Sequence, residues 1–356
     1  MRKILILTNH LQVSDGVCKS AMGLANFLCT FPENEVTLRP LFKYDKSLEQ
    51  ALDKRVILKP KYKFYIKGSK RLLKKLPPKL LYRSYVKDKY DIEIGFCCIL
   101  PHIAIANSEN KEAKHIIWTH GYEYHDYYKK ADHIVCNCLE TKEKMIKDSG
   151  GEIPVSCCHN LTNNEAIIQK GKEPCDLPKS DLLTFISVAR MSPEKGFDRL
   201  IKSMAKLFED GYKFRLVLVG DGEEMNKLKA LVNKFNLNDY VIFTGSQNNP
   251  YKYVTNADIA ISSSRSEAYQ TALVEALILQ TPVISTKVDG AREIIELSEQ
   301  GFVMDNSEDG IYEGIKNVLD NPELVKKWKE KLKTTHSRFN NEFREKEILD
   351  VLQFDH

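Results

Sequence analysis

The sequence predicts an α/β fold of two Rossmann-like domains, each a parallel sheet covered by helices on both faces. Three observations predict it. Short apolar runs, most of them β-branched, recur at 4–7, 92–96, 115–118, 134–136, 183–189, 214–219, 240–243, 258–262 and 282–285, as expected of strands buried on both faces. Segments of helical spacing, such as 17–30, 197–209, 223–235 and 271–280, lie between most of them. Such alternation specifies parallel strands joined by crossover helices. The alternation also comes in two blocks, separated by the polar stretch 169–181. The expected layout is a first domain at 1–170, a linker at 171–181, a second domain at 182–335, and a helix at 336–356 that docks back through Ile348, Leu349, Val351, Leu352 and Phe354.

Taken in order, the chain opens on Arg2 and Lys3 followed by four apolar residues, too few for a signal-peptide core and enough for a first strand. The 356 residues contain no apolar run of 18, which argues against a membrane-spanning helix. The nine cysteines are odd in number and form no C-x-x-C. They read as small buried hydrophobes of a reducing cytosol rather than as a disulfide framework or a zinc site.

Charge is uneven. Residues 59–89 hold twelve Lys/Arg and one acid, Asp88, a net +11 against −7 for the rest of the chain. Tyr62, Phe64, Leu72, Leu76, Leu80 and Tyr85 interleave these charges, and Pro77-Pro78 divides the stretch into two helices. A basic amphipathic stretch suits an anionic membrane surface better than nucleic acid. The competing reading is a solvated helix face with a core-facing stripe.

In open parallel sheets ligands bind at the carboxyl ends of strands, and charged residues gather there. Phe185–Ala189 runs into Arg190, Lys195 and Gly196 just before a helix opening near Phe197. A guanidinium, an ammonium and a helix start together can clamp a phosphate. Val219-Gly220-Asp221-Gly222-Glu223 is half a dinucleotide fingerprint without its third glycine, so it reads as a tight turn with glycine at positive φ. The richest segment is Ser262–Leu277, where Glu267 sits on a loop and Glu275 about one turn inside a helix starting near Thr271. Carboxylates accept hydrogen bonds from sugar hydroxyls, and the helix-end amides near Tyr269 to Ala272 can face phosphates. On their own these could equally be a capping and a solvated glutamate.

In their order and spacing these segments resemble glycosyltransferase family 4, the retaining GT-B enzymes. The resemblance rests on Arg190…Lys195-Gly196, Gly220-Asp221-Gly222-Glu223, Phe243-Thr244-Gly245, Glu267-x7-Glu275 and Pro282-Val283-Ile284-Ser285. Less specifically, Asp15-Gly16-Val17 resembles the family's glycine loop, and Trp118-Thr119-His120-Gly121 its histidine loop. The resemblance implies a GT-B fold whose two domains face a cleft, the first on the acceptor side and the second binding a nucleoside-diphosphate sugar. Arg190 and Lys195 would hold the diphosphate, Glu275 the ribose and Glu267 the transferred sugar. Tyr269, Gln270 and Thr271 would offer backbone amides, His120 would reach the sugar, and Gly16 would let its loop approach the phosphates.

The implied reaction is metal-independent transfer of a hexose, from a donor expected to be UDP-linked, to a lipid-linked or surface-polysaccharide acceptor. No cofactor and no nucleic-acid partner are expected. The chain has no two aspartates two apart, so the D-x-D that holds a metal in many such enzymes is missing, and Arg190 and Lys195 take over its charge. The expected location is cytoplasmic, peripheral at the inner face of the membrane through 59–89. A nucleotide-sugar epimerase and a non-catalytic sugar-binding subunit are the alternatives. Where the family has Gly-aromatic-Gly after its first glutamate this chain has Ala268-Tyr269-Gln270, which narrows the space beside the donor sugar.

Overall fold

The computed structural model describes residues 1–12, 16–42, 44–61, 73, 75–295, 300–334 and 339–353. By contacts the chain forms two units, residues 1–162 with 344–356, and residues 163–343. The polar stretch ahead of Thr184 is largely irregular, and the helix before it, Asn164–Gly171, packs within the second unit.

The first unit is a seven-stranded sheet among the described residues, ordered β3-β2-β1-β4-β5-β6-β7. Its strands are β1 (Arg2–Thr8), β2 (Asn34–Pro40), β3 (Ile57–Leu58), β4 (Ile92–Phe96), β5 (Lys114–Trp118), β6 (His133–Cys136) and β7 (Val155–Cys157), and every pairing is parallel. Its helices are α1 (Gly16–Leu28), α2 (Pro78–Tyr85), α3 (Ile99–Ala106) and α4 (Leu139–Ser149). Side chains of a strand point alternately to its two faces. Ile4 and Ile6 therefore join Ala21, Leu24 and Leu28 of α1 on one side, while Leu5 and Leu7 join Tyr85 of α2 and Leu100 of α3 on the other.

The second unit has a six-stranded sheet among the described residues, ordered β10-β9-β8-β11-β12-β13. These strands are β8 (Thr184–Val188), β9 (Arg215–Val219), β10 (Val241–Gly245), β11 (Ile259–Ser262), β12 (Val283–Thr286) and β13 (Gly301–Met304), again parallel. Its helices are α5 (Asn164–Gly171), α6 (Phe197–Glu209), α7 (Met225–Lys234), α8 (Tyr251–Thr255), α9 (Thr271–Ile278), α10 (Ala291–Ile295), α11 (Glu308–Asp320) and α12 (Glu323–Thr334). Phe185, Leu216 and Leu218 face α6, α7 and α11, and Ile186, Val217 and Val219 face α8 and α9. The order runs outward from β8 to β10, then resumes at β11 on the other side of β8. That reversal makes the β8/β11 boundary the topological switch point, where open α/β sheets bind ligands.

The last helix, α13 (Asn341–Leu352), packs on the first unit from Arg344 onward. Ile348, Val351 and Leu352 enter the cluster of Ile4 and Ile6, with Leu349 packed against it. Glu347 accepts from the backbone N–H and Nδ1 of His159 at 2.9 Å each, and Lys114 Nζ donates to the Val351 carbonyl at 2.7 Å. Phe354 lies outside the described residues, as do Asp15 and, within the basic stretch, residues 62–72 and 74. No helix among the described residues is long and apolar enough to cross a membrane.

Strands β2, β3, β7 and β13 are additions to the sequence expectation. β3, β7 and β13 are sheet edges paired on one side, and β2 lies next to an edge with only the two-residue β3 beyond it, so a continuous apolar run is not needed. His125 is half-buried and stacked on Tyr127, their ring centroids 4.9 Å apart.

The strand ends of the second unit are laced together by backbone. Gly220 has φ +139°, and a Cβ there would lie 2.0 Å from the Ala189 carbonyl oxygen. Gly220→Ala should therefore lower unfolding stability by about 2–4 kcal/mol in urea titration, through strain and overpacking together; a variant as stable as the parent would contradict this close approach.

Candidate functional site

The residues expected at the donor site that belong to the second unit sit on loops leaving adjacent strands β8 and β11, or on α9 just beyond. The loop after β8 ends in a 3₁₀ turn, Pro193–Lys195, and Gly196 at φ +66° turns the chain into α6. A Cβ on Gly196 would lie 2.2 Å from the Ser263 carbonyl oxygen, so only glycine lets this loop touch the loop after β11.

Hydrogen bonds then fix the two loops against each other. Ser263 Oγ donates to the Lys195 carbonyl at 3.0 Å, and the Arg265 N–H donates to the Glu194 carbonyl at 2.7 Å. Arg265 also forms a fork with both carboxylate oxygens of Asp198, at 2.8 Å each. Arg199, only 7% exposed, donates to the carbonyls of Ser263 and Ser264 and to Asn306 Oδ1. Buried carbonyls left unpaired are costly, so Arg199 acts here as a structural bracket.

On this frame Lys195 Nζ lies 2.6 Å from Glu267 Oε1, with the two side chains 20% and 16% exposed. Ser264 Oγ donates to the same oxygen at 2.7 Å. An ammonium carries three donors, and Lys195 uses one on Glu267; among the described residues its others have no partner. Glu267 Oε2 likewise has no hydrogen-bond partner among them. The pair thus presents open donors and an open acceptor side by side, held by one another in half-buried surroundings.

Arg190 is exposed at the end of β8, and its guanidinium makes no hydrogen bond among the described residues. The Glu194 carboxyl is held below its usual range, first by the Ser192 hydroxyl, then by a backbone bond and the charges of Lys195 and Arg190. Both cations therefore act on the same neighbourhood. Glu275, one turn into α9, accepts from Tyr251 Oη at 2.9 Å. Burial, followed by the charge of Glu275 and this bond, pushes the Tyr251 phenol well up, so it stays a donor.

Tyr269 and Thr271 are half-buried, and the Thr271 N–H is already donated to the Tyr269 carbonyl at 3.0 Å. Gln270 is buried and its N–H makes no hydrogen bond among the described residues. The other two expected residues belong to the first unit. Gly16 opens α1, and among the described residues beyond its chain neighbours and its own helix no atom lies within 4 Å of where its Cβ would be. His120 follows β5, packs on Phe96 at 4.7 Å between ring centroids, and turns Nε2 to Asn160 Oδ1 at 2.9 Å. Asn160 Oδ1 only accepts, so Nε2 bears the hydrogen.

Sequence reasoning missed Arg199, Ser264 and Tyr251. Arg199 had a signal, a charge among the apolar residues Phe197, Leu200 and Ile201; Tyr251 had none, because its partner is 24 residues away.

The family model for glycosyl transferases group 1 matches residues 172–335. An N-acetylgalactosamine-N,N'-diacetylbacillosaminyl-diphospho-undecaprenol 4-alpha-N-acetylgalactosaminyltransferase of Campylobacter jejuni is 31% identical over 217 residues, 60% of this chain and 58% of that protein. The lipopolysaccharide core biosynthesis glycosyltransferase LpsE of Rhizobium meliloti is 28% identical over 50% of this chain and 51% of its own length. The chain thus spans somewhat over half the length of these two curated relatives. The solved Anabaena Alr3699/HepE, in complex with UDP, superposes with a TM-score of 0.75 over 99% of this chain and 100% of that one, at 15% identity, a likeness of fold alone.

Replacing Arg199 by Met should cost about 2–4 kcal/mol of stability, since it strips both guanidinium donors from the buried Ser263 carbonyl. Equilibrium unfolding in urea checks this, and parent-like stability would refute the bracket. The chain thus matches the group 1 glycosyl transferases over residues 172–335, somewhat under half of its length, and it has the GT-B fold.

Proposed function

We propose that the protein is a retaining glycosyltransferase that moves a hexose from a nucleoside-diphosphate sugar, UDP-linked, to a lipid-linked or surface-polysaccharide acceptor without using a metal. The observation that carries this reading is the Lys195–Glu267 pair at the switch point, inside the segment that matches the family. Two similar proteins support the acceptor class by name, one acting on a diphospho-undecaprenol-linked sugar and one in lipopolysaccharide core biosynthesis. The fold match to a UDP complex supports the donor class.

The chemistry follows from charge. As the bond between sugar and diphosphate breaks, negative charge develops on the departing phosphate oxygens. The open donors of Lys195 and the guanidinium of Arg190 stabilise that charge more in the transition state than in the ground state, which is what accelerates the step. Glu267 keeps the ammonium in place, and its free oxygen accepts from a hydroxyl of the transferred sugar. Glu275, steadied by Tyr251, accepts from the ribose hydroxyls. Displacement from the same face as the leaving group retains configuration and needs no protein nucleophile. No D-x-D occurs in the sequence, so the fixed cations carry the role a metal has elsewhere.

The acceptor side calls for a cytoplasmic protein resting on the inner face of an anionic membrane through residues 59–89. Within the described part of that stretch, Leu76 and Leu80 are exposed at 38% and 49%, beside Lys75, Lys79 and Arg83. Apolar side chains open to solvent among basic ones suit a lipid surface.

Arg190→Ala and Lys195→Ala should each lower kcat/KM by about 100-fold, on the order of 3 kcal/mol of transition-state stabilisation. Radiolabelled transfer to membrane-extracted acceptor checks this, with chelator leaving the parent rate unchanged. Parent-like rates in both variants, strict dependence on a divalent ion, or interconversion of UDP-sugars without acceptor would each overturn the proposal.

A further inference from the structure

We infer that Gln270 is a specificity-determining residue of the donor site, its side-chain carbonyl oxygen accepting a hydrogen bond from a hydroxyl or an amide N–H of the transferred sugar. The inference rests on the proposed function and adds what the backbone of this loop cannot supply, a side-chain reader beside Glu267.

The position comes first. Gln270 lies three residues after Glu267 and immediately before α9. Its Nε2 donates to Ser285 Oγ at 2.8 Å, and Ser285 is paired with Ser262 across β11 and β12 at their carboxyl ends. The amide therefore lies along the same rim of the sheet as the Lys195–Glu267 pair.

The orientation of the amide is fixed by its neighbour. Ser285 has one hydroxyl hydrogen, which it donates to the Thr286 carbonyl at 2.9 Å. Towards Gln270 it can only accept. The amide must then present N–H to Ser285, and turning it over would set two acceptors against each other. Ser285 is fully buried, so no solvent can relax this constraint.

What remains is Oε1. Gln270 is 5% exposed, and its Oε1 is buried with no hydrogen-bond partner among the described residues. Its side chain does not cap α9, which would have been the ordinary use of a polar residue there. A buried acceptor held rigidly and left unpaired asks for a donor from outside the protein. It also repels acceptors. A sugar offering a hydroxyl or an acetamido N–H at that point is favoured, and one offering a carboxylate is rejected. Sites built to hydrogen-bond a substrate group discriminate strongly against the analogue lacking it, because the site's own polar atom is then stranded.

The test is a coupling measurement by calorimetry on the full chain. The parent protein is titrated with UDP, UDP-glucose, UDP-galactose, UDP-N-acetylglucosamine and UDP-N-acetylgalactosamine, and monodeoxy analogues of the tightest sugar follow. The same analogues are titrated into Gln270→Met. In the parent, removing one particular hydroxyl, or replacing the acetamido group, should weaken binding about 10-fold or more; in Gln270→Met the same removal should cost less than about 2-fold. The ratio of ratios cancels any effect the substitution has on binding of the nucleotide part. If every analogue loses as much in the variant as in the parent, Gln270 reads nothing and the inference falls while the donor site stands. If no UDP-sugar binds the parent more tightly than UDP itself, the donor-sugar reading falls and takes this inference with it. Ser285→Ala frees the amide without removing it and should lower the same discrimination, so the inference remains exposed to failure if Gln270→Met does not fold.

Discussion

The second unit turns on one ion pair, Lys195 with Glu267 at 2.6 Å. Taking two opposite charges partly out of water has a desolvation cost that is recovered only if their geometry is good and their spare lone pairs and protons find partners. Here the geometry is imposed from below. Gly196 brings one loop onto the Ser263 carbonyl, Arg199 bridges the carbonyls of Ser263 and Ser264, and Arg265 ties the second loop to Asp198. The partners, however, are incomplete. Two ammonium donors and one carboxylate oxygen are left over among the described residues. A purely structural pair would have been closed off by neighbours. An incomplete one at the carboxyl rim of a parallel sheet is what the proposed donor site calls for, groups oriented before a ligand arrives.

The rest of the unit serves to hold that rim still. Alternate residues of β8 and β9 bury on opposite sides, so neither face of the sheet can slide without exposing Phe185 or Ile186. The turns after β8 and β9 approach so closely at Gly220 that their backbones act as one layer. Tyr251 reaches Glu275 from a separate short helix, which sets the distal carboxylate independently of the loops. Charges placed in this way need little rearrangement when a ligand arrives, which is the condition for electrostatic stabilisation of a transition state.

Much of this was legible in the chain. The central strands were readable because burial on both faces demands unbroken apolar runs, as in Leu216–Val219. The strands at or next to the edges were not, since β2 carries Asn34, Glu35 and Arg39 among its apolar residues and β7 has only three residues. Glu267 and Glu275 were readable through their spacing, and Arg190 and Lys195 through their place between a strand and a helix. What spacing could not reveal is how the polar atoms are paired. The bracket at Arg199, the support from Tyr251 and the stranded oxygen of Gln270 all depend on contacts between distant segments. Nor could a motif tell which amides were already used, as the Thr271 N–H is.

The most direct test of the central claim compares UDP with uridine by titration calorimetry, in the parent and in Lys195→Ala. If the open ammonium is a diphosphate receptor, the parent should prefer UDP by about 100-fold or more, and the variant should lose most of that preference while binding uridine as before. An undiminished preference in Lys195→Ala would mean that the pair is a structural tie and that the diphosphate is held elsewhere.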